Sequence, residues 1–302
     1  MADSLPPFFL PPLATLGEAV DAAEQAFGAA GLAFGHGMAN AFDEAVYLVL
    51  HTLKLPLDEL ESVRDRTLTV DQQKAIAAII DRRVRERVPA AYLTHEAWLG
   101  PHCFYVDERV IVPRSFIAEL LDDELSPWID SADGVTSVLD LCTGSGCLAI
   151  VAALTFPHAQ VDAVDLSTDA LDVARRNIDD YALPGRVAPI LSDMFAALQG
   201  RRYDLIISNP PYVTGKSMAA LPDEYHREPA MALASGDDGL DHVRIILRDA
   251  ATYLKPGGLL VVEAGFNRDG VEAAFPRVPF TWAEVSAGDD IVFLLTREEL
   301  LQ

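Results

Sequence analysis

From Thr136 onward, short apolar runs alternate with helical patterns, and that alternation is the strongest constraint on the fold. "TSVLDL" (136–141), "AQVDAVDL" (159–166), "VAPIL" (187–191), "YDLIIS" (203–208) and "GGLLVVEAG" (257–265) read as strands. "GCLAIVAALTF" (146–156), "TDALDVARRNI" (168–178) and "GLDHVRIILRDAATYL" (239–254) read as helices among them. Apolar strands linked by helices predict a mostly parallel sheet covered on both faces. "FTWAEVS" (280–286) and "DIVFLLT" (290–296) close the chain without a helix between them, so they can pair antiparallel.

The first part of the chain has another period. Leu13, Leu16, Val20, Ala23, Phe27 and Ala30 follow three-and-four spacing, as do Phe42, Ala45, Val46, Val49, Leu50 and Leu53 after a candidate cap at Asn40. Thr69 with Gln72 forms a capping box for a helix carrying Ile76, Ile79, Ile80, Val84 and Val88, which Pro89 ends. Arg82, Arg83, Arg85 and Arg87 are expected on its solvated face. "CFYVDERVIVP" (103–113) reads as two short strands around a charged turn. The expected organisation is a helical domain over 1–95, a hairpin link over 96–115 and an α/β domain over 116–302.

Composition removes several classes of function. No run of 18 apolar residues exists, so no spanning helix is expected. The start, "MADSLPPFFLPP", carries Asp3 and no basic cluster, unlike a secretory signal. Cys103, Cys142 and Cys147 are odd in number and form no CxxC, which fits a reduced, cytoplasmic setting. The histidines show no ligand spacing, so no metal is expected. The formal charge is −23, and lysine occurs only at 54, 74, 216 and 255. Such a surface repels phosphate backbones and attracts basic proteins.

The chemistry concentrates at strand ends, where open α/β sheets hold ligands. The strand "VLDL", containing Asp140, runs into Cys142, Thr143, Gly144, Ser145 and Gly146. Glycines here let the backbone approach a ligand and turn into a helix. Asp165 ends the next strand, where its carboxylate can accept from two vicinal ribose hydroxyls. This pattern fits NAD as well as S-adenosyl-L-methionine. Asp193, after the third strand, can accept from an adenine amine, and Phe195 can cover the ring.

The fourth strand ends in "IISNPPYVT" (206–214). Two prolines remove two backbone donors and stiffen the corner. The Asn209 side chain and the Pro210 carbonyl can each accept one hydrogen of a planar NH2 group. Tyr212 can pack against the flat group. The corner suits an amide or an aromatic amine.

Together, "DLCTGSG", "VDAVDLS" and "NPPY" resemble the class I (Rossmann-like) S-adenosyl-L-methionine-dependent methyltransferases that act on planar nitrogen, whose sheet is seven-stranded. "YVDERVIVPRS" and "REPAMALASGDDGLD" are more specific and are similar to the protein-(glutamine-N(5)) methyltransferases. "FGHGMANAFDEAVYLVL", "PAAYLTHEAWL" and Pro113-Arg114-Ser115-Phe116-Ile117 resemble the branch acting on ribosomal protein. That branch modifies a glutamine of the third protein of the large ribosomal subunit, a basic partner. The resemblance implies cofactor contacts from Asp140, Cys142 to Gly146, Asp165, Asp193, Phe195 and Asn209. It implies an amide held by Asn209, Pro210 and Tyr212, and no metal. Glu263 also matches a family pattern, without a role. Two alternatives remain open: a methyltransferase of release factors, and an adenine methyltransferase, which the net charge disfavours.

Overall fold

The structure, a computed structural model, describes residues 7–11 and 14–302. Leu13 and most of the Pro-rich start lie outside the described residues. The chain divides into two units, Met1–Glu96 with Pro222–Arg227 and Ala97–Leu221 with Glu228–Gln302.

The first unit is helical: α1 (Leu16–Ala30), α2 (Ala41–Leu53), α3 (Leu60–Val63), α4 (Val70–Arg85) and α5 (Ala90–Thr94). Caps set the starts. Thr15 with Glu18 and Thr69 with Gln72 form reciprocal capping boxes, and the Asn40 side chain accepts from the Asp43 N–H at 2.9 Å. Leu16, Val20 and Phe27 of α1 pack with Leu48, Ile76 and Ile80 in one apolar core.

Two expectations for α4 fail. The helix stops at Arg85 instead of reaching Val88, and Arg87 turns into the left-handed region (φ 56°). Arg83 is buried, not solvated. It lies seven residues after Ile76 and three after Ile80, on the same stripe as those core residues. Its guanidinium donates to Glu44 at 2.5 Å, to Glu224 at 3.2 Å and to the Ala33 carbonyl at 2.9 Å. Arg87 donates to Glu224 at 3.2 Å. Two carboxylates that could not be buried alone are thereby neutralised.

A hairpin of β1 (Glu96–Leu99) and β2 (His102–Tyr105) opens the second unit, which takes it up from Ala97. The expected hairpin was centred on Asp107–Arg109. The turn instead falls at Gly100-Pro101, where Gly100 takes φ 57°. The Asp107 carboxylate binds Arg109 Nε at 2.8 Å and its backbone N–H at 3.1 Å, curling that segment on itself. Then follow α6 (Ile117–Asp122), β3 (Ser137–Leu141), α7 (Cys147–Thr155), β4 (Gln160–Asp165), α8 (Thr168–Asp180), β5 (Val187–Leu191) and β6 (Tyr203–Ser208). The chain ends with α9 (Gly215–Met218), α10 (Asp241–Tyr253), β7 (Leu254–Glu263), α11 (Arg268–Ala274), β8 (Thr281–Val285), β9 (Gly288–Thr296) and α12 (Arg297–Leu300).

The seven-stranded sheet runs β5-β4-β3-β6-β7-β9-β8, parallel except at β9, which is antiparallel to β7 and β8. This is the expected Rossmann-like methyltransferase sheet. The two-residue period sorts the core. Val138, Leu205, Ile207 and Val261 join one face, and Leu139, Ile206, Leu260 and Val262 the other.

Arg83→Ala should lower the unfolding free energy by about 3–5 kcal/mol, because buried Glu44 loses its counter-ion. The exposed Arg82→Ala should change it by less than about 0.5 kcal/mol. Urea unfolding of both variants measures the contrast.

Candidate active site

From β3 the chain moves outward to β4 and β5, and β6 then returns to the other side of β3. Such a reversal opens a crevice at the carboxyl ends of the strands. A cavity of about 300 Å³ opens there, lined by Cys142 and Gly144 after β3, Asp165 to Ser167 at the end of β4, Ser192 to Met194 after β5, and Asn209 and Pro211 after β6.

The loop after β3 is shaped by three left-handed residues, Cys142 (φ 60°), Gly144 (φ 54°) and Gly146 (φ 81°). At Gly146, with φ 81°, a Cβ would lie 3.1 Å from that of Ala174, so glycine spares both backbone strain and crowding where α7 starts against α8. The Thr143 N–H donates to the Val164 carbonyl at 2.9 Å, and its hydroxyl to Asp140 at 2.5 Å. Asp140 is buried below the loop, and burial pushes its carboxyl up to about 7. The Ser145 carbonyl accepts from Asn177, whose amide also accepts from the Tyr105 N–H at 2.8 Å. Asn177 thus ties the loop to β2.

Asp165 faces the cavity and braces the loop. One oxygen accepts from the Gly144 N–H and the other from the Ser167 N–H, both at 2.9 Å. Burial holds its carboxyl above the usual range.

After β5 one expectation is corrected. Phe195 does not line the cavity. It is buried and stacks on Tyr253, with centroids 4.6 Å apart and planes 14° apart. The Ser192 hydroxyl donates to the Met194 carbonyl and accepts from the Ala197 N–H, both at 2.9 Å. That tight turn sends Met194, not Phe195, to the cavity wall. Asp193 is exposed and lines the cavity.

The corner after β6 is divided. Asn209 is half-buried and lines the cavity; Pro210 is buried behind it. Tyr212 is half-buried, and its hydroxyl donates to Glu263 at 3.3 Å. The structure therefore gathers Cys142, Gly144, Asp165, Asp193 and Asn209 around one cavity. Asp140, Thr143, Ser145, Gly146, Pro210 and Tyr212 do not line the cavity.

The sequence reading missed two contributions. Glu108 to Ile111 line the cavity, from the segment expected to be a hairpin. Burial would raise the Asp107 carboxyl beside them, but its bonds to Arg109 and Tyr105 outweigh that and hold it down at about 2. His242 also lines the cavity, with Nδ1 at 2.8 Å from the Ser235 hydroxyl and its imidazole lowered by burial. Glu108 to Ile111 lie within the "YVDERVIVPRS" stretch that carried the resemblance, with the Asp-x-Arg spacing at 107–109 as a further signal; His242 has no local motif.

The charge of this lining separates the two cofactors left open by the glycine loop. Its carboxylates are Glu108, Asp165, Asp169 and Asp193, and its one arginine, Arg109, is paired with Asp107. A diphosphate such as that of NAD is repelled by such a wall, whereas a sulfonium with a ribose and an adenine amine is matched by it. The residues present fit S-adenosyl-L-methionine. Among the described residues no cluster of His, Cys, Asp or Glu could hold a metal, and no helix is long and apolar enough to cross a membrane.

Two family models match the chain: PrmC N-terminal domain over residues 18–94 and Methyltransferase small domain over residues 125–236. The chain is 58% identical over 289 residues to the ribosomal protein uL3 glutamine methyltransferase of Neisseria gonorrhoeae, covering 96% of each protein. It is 57% identical over 296 residues to the protein of that name in Burkholderia pseudomallei, again covering 96% of each. The likeness to the Bordetella pertussis protein of that name is 54% over 288 residues, covering 95% of this chain and 97% of the relative.

Asp165→Ala should weaken S-adenosyl-L-methionine binding by about 1.5–3 kcal/mol, through loss of charge-assisted hydrogen bonds. Calorimetry should also show weaker binding for Met194→Ala. Phe195→Leu should lower the melting temperature and leave the affinity unchanged.

Proposed function

The chain belongs to the family of ribosomal protein uL3 glutamine methyltransferases, and from that premise we propose that it methylates the side-chain amide nitrogen of a glutamine in uL3. It is an S-adenosyl-L-methionine-dependent methyltransferase. The observation that carries the proposal is Asn209: the one amide at the end of β6 lines the same cavity as Gly144 and Asp165.

The cofactor, when bound, supplies a methyl group on a positively charged sulfur, which is the electrophile. The rest falls to the chain. Asp165 takes the ribose hydroxyls, with its geometry preset by the Gly144 and Ser167 N–H groups. Asp193 takes the adenine amine. Cys142 and Gly144 face the methionine part, and Thr143, Ser145 and Gly146 shape the loop that presents them, with Asp140 bracing Thr143 from below. Asn209 and the Pro210 carbonyl accept the two hydrogens of the glutamine NH2, and the Asn209 amide donates to the substrate carbonyl. Tyr212, outside the cavity lining, supports the corner that holds the flat group.

An amide nitrogen is a weak nucleophile because its lone pair is delocalised. Two fixed acceptors on its hydrogens bind more tightly as positive charge develops on that nitrogen, so they favour the transition state over the ground state. Holding the nitrogen in one orientation removes a further part of the barrier.

The helical unit is assigned to substrate selection, since the chemical groups all come from the other unit. The net charge of −23 favours a basic protein as partner and disfavours nucleic acid. A ribosomal-protein substrate supports a cytoplasmic setting for the reaction.

Purified enzyme, cofactor and either uL3 or a release factor, followed by peptide mass spectrometry, tests the substrate. One added methyl on a uL3 glutamine is expected; methylation of the release factor alone overturns the assignment. Asn209→Ala should bind cofactor nearly normally, because the glycine loop and Asp165 are intact, and transfer roughly 100-fold more slowly, the scale of losing one preorganised partner of the developing charge.

A further inference from the structure

Glu263 ends β7 with its carboxyl group almost fully buried. One oxygen accepts from the Ser115 hydroxyl at 2.6 Å and from the Phe116 N–H at 3.0 Å. The other accepts from the Tyr212 hydroxyl at 3.3 Å. A buried carboxyl is costly unless each oxygen is satisfied, and here both are.

Tyr212 is confined at two further points. Gly265 has φ 60°, and a Cβ there would lie 2.6 Å from Cε2 of the Tyr212 ring, so the ring rests against bare backbone. At Gly239 a Cβ would lie 2.4 Å from the Tyr212 carbonyl oxygen. Hydroxyl, ring and carbonyl are each held by a different residue. The ring contacts and carbonyl contacts fix the base of Tyr212; the Glu263 bond acts at the far end of the ring and fixes where its hydroxyl tip points.

We propose that Glu263 is a positioning residue for methyl transfer. It holds the Tyr212 ring, and with it the Asn209-Pro210 corner, in the orientation that receives the substrate amide. The assignment rests on the corner being the amide clamp described above. Ser115 and Phe116 supply the other half of the support: they hold one carboxyl oxygen, and the other accepts from Tyr212.

Glu263→Gln is the conservative variant. Its amide oxygen can accept from Ser115 and Phe116 while its NH2 donates to the Tyr212 oxygen, which accepts as readily as it donates. It should retain most of the transfer rate. Glu263→Leu should slow single-turnover transfer by about 10–100-fold, the scale of a small misplacement at a reacting group. Glu263→Asp keeps the charge but falls short of Tyr212 by one methylene, and should slow transfer as well. Cofactor affinity should stay unchanged in all three.

The decisive measurement is a double-mutant cycle with Tyr212→Phe, which removes the hydroxyl and keeps the ring. Combining Tyr212→Phe with Glu263→Asp should add little to the slower single variant. Losses that multiply, or wild-type transfer by Glu263→Asp, overturn the proposal. So does a Glu263→Gln variant as slow as Glu263→Leu. Should Glu263→Leu not fold, Glu263→Asp and Glu263→Gln carry the test. Asn209→Ala separates the two levels: if it transfers at the wild-type rate, the clamp itself is wrong. If it is slow while the Glu263 variants are fast, only the role of Glu263 is lost.

Discussion

Two adjacent parallel strands whose connections depart in opposite directions leave a gap that no other part of the sheet can fill. That gap, between β3 and β6, is the condition for the rest of the molecule. Cys142, Asp165, Asp193 and Asn209, which face it, are each a strand end or among the first residues beyond one. The strands themselves are locked by apolar contacts on both faces, so the positions of their ends are inherited from the core. The backbone then accepts local cost where precision is needed. Cys142 and Met194, neither of them glycine, both take positive φ at the cavity, and their sulfurs lie 3.9 Å apart.

Acidity serves two separate ends here. On the surface it biases the protein toward basic partners. Inside the cavity it selects among cofactors, because a diphosphate and a sulfonium differ in sign where Asp165 and Asp193 stand. Two acids of the helical unit serve neither end: Glu44 and Glu224 are buried on one shared guanidinium, and the chain's net charge says nothing about them.

What could be read from the sequence was what local energetics decide. The caps at Asn40 and Thr69, the strand at Val187–Leu191 and the antiparallel close at β8 and β9 each follow from residues within a few positions of one another. Cys142, Gly144, Asp165, Asp193 and Asn209 could be placed because a strand end is also a site edge in such a sheet. Long-range partners were invisible. Arg83 looked solvated because its two acids lie 39 and 141 residues away. Phe195 and Met194 exchange places through a single serine hydroxyl, a choice that hydrophobicity cannot make for adjacent apolar residues. The segment Glu108–Ile111 was given to a hairpin because charged residues between apolar ones look like a turn; Gly100 supplied the real one.

The helical unit is discontinuous, and that has a consequence for how the chain is made. Its final segment, Pro222–Arg227, is synthesised about 125 residues after Glu96. At about 5–20 residues per second the wait is on the order of ten seconds. Until then Arg83 has Glu44 but not Glu224, and the Ala33 N–H has no carboxylate to receive it. The part of the protein that leaves the ribosome first is thus finished late. Its last buried charge arrives only after Asn209 to Tyr212 have been translated, so a nascent chain cannot complete this unit without already carrying the corner.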